Sequence, residues 1–334
     1  LSAPRDTTLP RQAAATLRHR AESAAAGLPP LLAEAEHLAA NILLGEHGRR
    51  RAGTGDEFWQ YRPAHALDAA RSIDWRRSAR SDAHFVREHE WQAAQSVVFW
   101  VDDAASMRFA GAASRPEKGA RARLLALAAA ILLLRGGERV GLAGGRALSV
   151  AEEGAGAAGS CDASGGPGLP PRSGSVQRDR LALALVEMAG AASAAAGSSN
   201  EYRQPDLRGL PAHGRAVLVS DFFGDPAPIE RAVTAAAERG VRGVMVQVLD
   251  PVEESFPFDG RTIFESMGGS LRHETRKAGD LRARYLARLA ERKDRLAALA
   301  RSTGWLFQGH HTDQPPLGAL VALYHALERR GRRC

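Results

Sequence analysis

Ser96-Val97-Val98-Phe99-Trp100-Val101-Asp102-Asp103 decides how the chain is read. Five apolar, β-branched or aromatic residues in a row, Val97 to Val101, suit a strand buried on both faces and are too few for a helix. The run stops on two acids. Ala216-Val217-Leu218-Val219-Ser220 is a second such run, and it stops on Asp221. Around these two lie alternating signals. Helical patterns cover Lys118–Arg135, Asp179–Ala196, Pro228–Arg239, Leu281–Arg301 and Leu317–Arg329. Short strands are expected at Arg139–Ala143, Ala147–Val150, Val241–Leu249 and Trp305–Phe307. Alternating strands and helices predict an α/β fold: a doubly wound, mostly parallel sheet with helices on both faces. Ligands of such sheets gather outside the carboxyl ends of the strands. Asp102, Asp103 and Asp221 therefore share one edge, and Ser106 follows the first two.

Outward from this core the texture changes. Residues 1–44 read as a tail and helices, with Gly27-Leu28-Pro29-Pro30 ending one helix and opening the next. Residues 45–95 are polar, with poor helical periodicity, and predict short strands and turns packed on the core. Residues 96–334 form the α/β domain. Residues 151–177 are rich in Gly, Ser and Pro and read as an inserted loop.

Composition narrows the function classes. The chain has 334 residues, 44% apolar and 25% charged, enough for a real core. The net charge is +7. That balance can draw nucleic acid, but the arginines are spread over helices that also carry Glu and Asp, and no compact basic arm appears. The two cysteines, Cys161 and Cys334, make no disulfide framework or zinc site. No apolar run reaches the roughly 18–20 residues that span a bilayer, and no signal-peptide pattern is seen, so a cytoplasmic location is expected.

The strand-end residues resemble the metal-ion-dependent adhesion site (MIDAS) of von Willebrand factor A domains. Those domains carry Asp-x-Ser-x-Ser after the first strand, a later Asp after the fourth, and a loop Thr, and together these hold magnesium. Asp102 matches the first position, Ser106 the last, and Asp221 the later Asp. Ala104 stands where the first Ser belongs. Ser173 and Ser175 are the candidates for the loop hydroxyl. The resemblance implies Mg²⁺ held by oxygen ligands, or a degenerate site that keeps the fold and uses its edge without a metal.

A second resemblance covers residues 45–330. Gly53-x-Gly55-x-Glu57-Phe58, Arg62, Asp68, Arg71-x-Ile73-Asp74-Trp75, Ser78-Ala79-Arg80 and Val86-Arg87-Glu88 follow the hallmark of the MoxR-associated domain-of-unknown-function family 58. Phe256-Pro-Phe-Asp-Gly260 and Leu281-Arg-x-x-Tyr285 also fit. Leu67 replaces a usual glycine and Ala64 a usual tyrosine. The charged members of this block, Arg62, Asp68, Arg71, Asp74, Arg80 and Glu88, are expected to form paired contacts with Trp75 packed beneath.

The family resemblance implies a von Willebrand A-like, non-enzymatic adaptor that works beside a MoxR-type AAA+ ATPase and an unknown client. Its contact surface would be Asp102, Asp103, Ser106 and Asp221. Two alternatives stand. One is a Mg²⁺-dependent hydrolase using Asp102, Asp103 and Asp221, for which no nucleophile or phosphate cradle is visible. The other is a nucleic-acid binder, resting on charge. His310-His311 with Asp313 is a weaker cluster, because neighbouring strand residues face opposite ways.

Overall fold

A computed structural model of the chain describes residues 28–42, 49–53, 57–64, 73–79, 84–148, 168–194, 201–269 and 271–328. The tail, both cysteines, the helical signal before Leu28 and most of the 151–177 loop lie outside these residues. A helix runs over Leu28–Ala40, opened by the paired prolines. Strands β1 (Arg49–Gly53), β2 (Glu57–Pro63) and β3 (Phe85–Ala93) form an antiparallel sheet in the order β1-β3-β2.

Next come β4 (Ser96–Val101), β5 (Arg139–Leu142), β6 (Gly145–Leu148), β7 (Leu169–Arg172), β8 (Tyr202–Pro205), β9 (Arg215–Ser220), β10 (Arg242–Leu249), β11 (Thr262–Glu265), β12 (Arg272–Thr275) and β13 (Leu306–His311). Six of them make the central sheet, ordered β13-β10-β9-β4-β5-β7. Every neighbouring pair in it is parallel except β5 with β7.

The sheet is covered on both faces, as the period-2 alternation of its strands requires. Val97, Phe99, Val101, Val217 and Val219 face one cluster, with the Lys118–Arg135 and Pro316–Glu328 helices. Val98, Trp100, Ala216 and Leu218 face the other, with the Pro226–Glu238 and Gly279–Thr303 helices. The fold is thus mixed α/β, with a mostly parallel sheet between helices.

Some expectations are corrected. The strand expected at Ala147–Val150 lies at Gly145–Leu148 and pairs with β8 in a separate two-stranded sheet. The segment 151–177 is not loop throughout: Leu169–Arg172 is a strand and a helix begins at Ser175. Pro170 and Pro171 hid that strand, since prolines are tolerated on the sheet edge where β7 sits. Trp75 does not pack beneath a network. It is 58% exposed and meets His84 edge-on. Asp74 caps the short Trp75–Ser78 helix by accepting from the Arg77 N–H at 3.0 Å, and it also accepts from the Tyr61 hydroxyl at 3.1 Å. Asp68, Arg71 and Arg80 lie outside the described residues, as do the side chains of Glu57, Arg62, Arg87 and Glu88.

Candidate functional site at the strand ends

β4 and β9 are adjacent and parallel, so their ends coincide. The Asp102 N–H donates to the Val219 carbonyl at 2.9 Å, carrying the ladder one step past β4. One Asp102 oxygen accepts from the Ala104 N–H at 2.9 Å and the other from the Ser220 hydroxyl at 2.6 Å. Ser220 Oγ in turn accepts from the Phe222 N–H. Phe222 is buried at φ 54°, a left-handed conformation that costs a non-glycine residue energy and clusters at functional turns. Burial, and then the charge of Asp221, push the Asp102 carboxyl up to about 7.

Asp221 sits differently. Its Oδ1 accepts from the Phe223 N–H, and its Oδ2 meets Lys118 Nζ at 2.8 Å. The same ammonium reaches Glu253 Oε1 at 2.6 Å. Lys118 is the first residue of its helix and is buried to 1% exposure. The rings of Phe223 and Phe109 lie 4.9 and 5.7 Å from it, within cation–π range. Burial opposes the charged ammonium, but Asp221 and Glu253 outweigh it and raise the Lys118 pKa.

β10 also ends in an acid. Asp250 forms a capping box with Glu253 at the start of the Pro251–Ser255 helix. It also binds Arg115 at 2.7 Å, the Gly111 N–H and the Thr312 hydroxyl. Burial would lift its carboxyl, but the Val252 and Gly111 N–H groups, Thr312 and Arg115 hold it below the usual range. Three neighbouring strands therefore end in buried aspartates. Asp103 is half-buried and paired with Arg203 at 2.9 Å.

These residues do not fit Mg²⁺ as arranged. The ammonium of Lys118 already lies on Asp221, and the Asp102 oxygens are taken by Ser220 and Ala104. Ala104 offers no hydroxyl. Ser106 Oγ is buried and without a partner, the one ligand atom of the expected set left open. Ser173 and Ser175 cannot supply the loop hydroxyl. β7 runs antiparallel, with Arg172 beside Val140 near the start of β5, so both serines fall at the amino edge of the sheet. The backbone beside Ser106 is that of Glu201, whose carbonyl accepts from the Ser106 N–H at 3.2 Å. Among the described residues no group of three His, Cys, Asp or Glu is placed to hold a metal.

His310 and His311 point apart. His310 is buried near Arg121, and burial, Arg121 and His311 lower its pKa to about 4. His311 meets Glu254 at 2.6 Å.

The family model described as "Protein of unknown function DUF58" matches residues 60–295, most of the α/β core and part of the polar block. The chain belongs to this family. Uncharacterized protein Rv1480 of Mycobacterium tuberculosis and uncharacterized protein Mb1516 of Mycobacterium bovis are each 27% identical to this DUF58 chain over 298 residues, which is 87% of this chain and 85% of theirs. Among solved structures, conserved hypothetical protein BatB from Bacteroides thetaiotaomicron is 13% identical, covering 70% of this chain and 97% of that one, with a TM-score of 0.36. An aerotolerance-related membrane protein from Bacteroides fragilis is 14% identical over 70% and 98%, with a TM-score of 0.35. Among the described residues, no helix of this DUF58 chain is long and apolar enough to cross a membrane.

Sequence reasoning placed Asp102, Asp103, Ser106 and Asp221 together and missed Lys118, Ser220, Glu253 and Asp250. A signal existed for Lys118. The 45 basic residues include only three lysines, and this one opens the helix that follows the first strand end. A compact ammonium with three rotatable donors suits a buried gap between two carboxylates.

Proposed function

We propose that this DUF58 chain is a non-enzymatic interaction module with a von Willebrand A-like sheet, working beside a MoxR-type AAA+ ATPase to act on a client protein. The contact surface is the strand-end edge of Asp102, Asp103, Ser106 and Asp221: the half-buried Asp103, Arg203 and Phe223 meet the partner, and the buried Asp102, Ser106 and Asp221 support them from beneath. The observation that carries this reading is the saturation of the acids by the chain's own groups. Asp221 holds Lys118, Asp103 holds Arg203, and Asp102 is tied to Ser220. Carboxylates so engaged build a rigid polar edge. The partner class rests on the sequence resemblance alone, and fold-level likeness supports architecture better than role.

The test is capture of the purified MoxR-type ATPase from the same genome by the full chain. Asp103→Lys, which places like charge beside Arg203, is expected to weaken capture about tenfold. EDTA leaves capture unchanged. Equal capture by wild type and variant removes this edge as the contact, and no capture by either removes the ATPase as the partner.

A further inference from the structure

Two motifs of the sequence take no part in the strand-end edge: Phe256-Pro-Phe-Asp-Gly260 and Leu281-Arg-x-x-Tyr285. The fold brings them together against the β11–β12 hairpin. The Phe256 ring stacks on Phe264 at 5.6 Å between centroids and lies tilted on Tyr285 at 4.8 Å. Phe258 meets Phe256 and Phe264 edge-on at 5.2 and 5.3 Å. Phe256 is held in a left-handed conformation, φ 42°, at the C-terminal end of the Pro251–Ser255 helix.

Beside this cluster is an open pocket of about 480 Å³, lined by Phe256, Phe264, Leu281, Tyr285, His273, Arg284 and Arg288. Its apolar members are buried or half-buried, and its three basic members are exposed. Arg284 and Arg288 are one turn apart on one face of the Gly279–Thr303 helix. No acid lines the pocket, and neither arginine, nor His273, has an ion-pair partner among the described residues. Apolar surface continues onto the hairpin at Leu271, which is 61% exposed and two residues from His273. An aromatic floor under an uncompensated cationic rim is complementary to a chain that carries an apolar anchor among acids.

We propose that this pocket docks a short acidic peptide segment of a partner protein. The segment inserts one apolar or aromatic side chain against Phe256, Phe264 and Tyr285 and sets its carboxylates on Arg284 and Arg288. The residues lining this surface are not those of the strand-end edge, although Tyr285 lies close enough to feel the charges of Glu253 and Asp221.

The test is selection from a random-peptide display library on the full chain, run in parallel on Arg284→Glu/Arg288→Glu. Both positions are exposed, so the variant folds, and its circular dichroism checks this. Wild type enriches peptides with acids around a Phe, Trp or Leu. A synthetic copy of an enriched peptide loses about tenfold in affinity to the variant, and about as much again when its apolar anchor becomes Ala. Enrichment without acidic bias, or affinity equal for the two proteins, overturns the proposal. So does wild-type self-association that the double reversal abolishes, because the occupant is then a second copy of the chain.

Discussion

Lys118 Nζ lies 2.8 Å from Asp221 Oδ2, and both side chains are 1% exposed. A positive charge of the protein's own therefore sits on the acid that the sequence offered to a metal. Glu253 completes the arrangement from a third element, after β10.

Removing one partner of a buried pair leaves the others charged and unpaired. Lys118→Met keeps the length of the side chain and strands both Asp221 and Glu253. Urea unfolding is expected to show a loss of about 3–5 kcal/mol. Adding Asp221→Asn recovers part of that loss, with a coupling of roughly 1–3 kcal/mol. Strictly additive losses in the double variant would show that the two groups do not act as a pair.

Asp102 predicts a pH dependence of definite sign. Its carboxyl stands at about 7 in the folded chain against an ordinary 3.8, so between these values the folded state binds more protons than the unfolded one. Stability from this group is present in full below pH 4 and is lost as pH rises to 7, on the order of 4 kcal/mol. His310, lowered to about 4, gives the opposite trend. Comparison with Asp102→Asn isolates the first effect, since Asn mimics the neutral acid: its oxygen accepts from the Ala104 N–H, and its NH2 donates to Ser220 Oγ where the carboxylate had accepted. The variant gains on wild type as pH climbs from 5 to 8. Parallel stability curves across that range would refute this.

Millimolar Mg²⁺ is expected to leave the thermal midpoint of the wild type unchanged, because a ligand stabilises only if it binds the folded state. A rise in the midpoint that Asp221→Asn abolishes would mean that a metal can displace the ammonium.

Gly243 sets how closely β10 packs beneath Trp305. A methyl there collides with the Ala216 carbonyl and with the indole, which is buried and donates to the Val241 carbonyl at 3.1 Å. Gly243→Ala is expected to cost about 1–3 kcal/mol in guanidinium melts. An unchanged midpoint would show that the sheet yields at this point.

The sheet and its carboxyl edge were legible in the sequence because they rest on local signals. Val97 to Val101 and Ala216 to Val219 are continuous apolar runs. In an alternating chain such runs have one placement, with Asp102 and Asp221 on one edge. The capping role of Asp74 was not foreseen, although an Asp just before Trp75 is a local signal of the same kind. Tertiary structure alone decided what the edge holds. Lys118 and the Asp250–Glu253 capping box come from segments far apart in the chain, and no spacing announces that an ammonium will lie between two carboxylates. The direction of β7, hidden by its prolines, sent Ser173 and Ser175 to the opposite edge. A strand ending fixes where an acid stands by local geometry, but its partner is fixed by which helix packs over that ending, and that depends on the burial of the whole helix face.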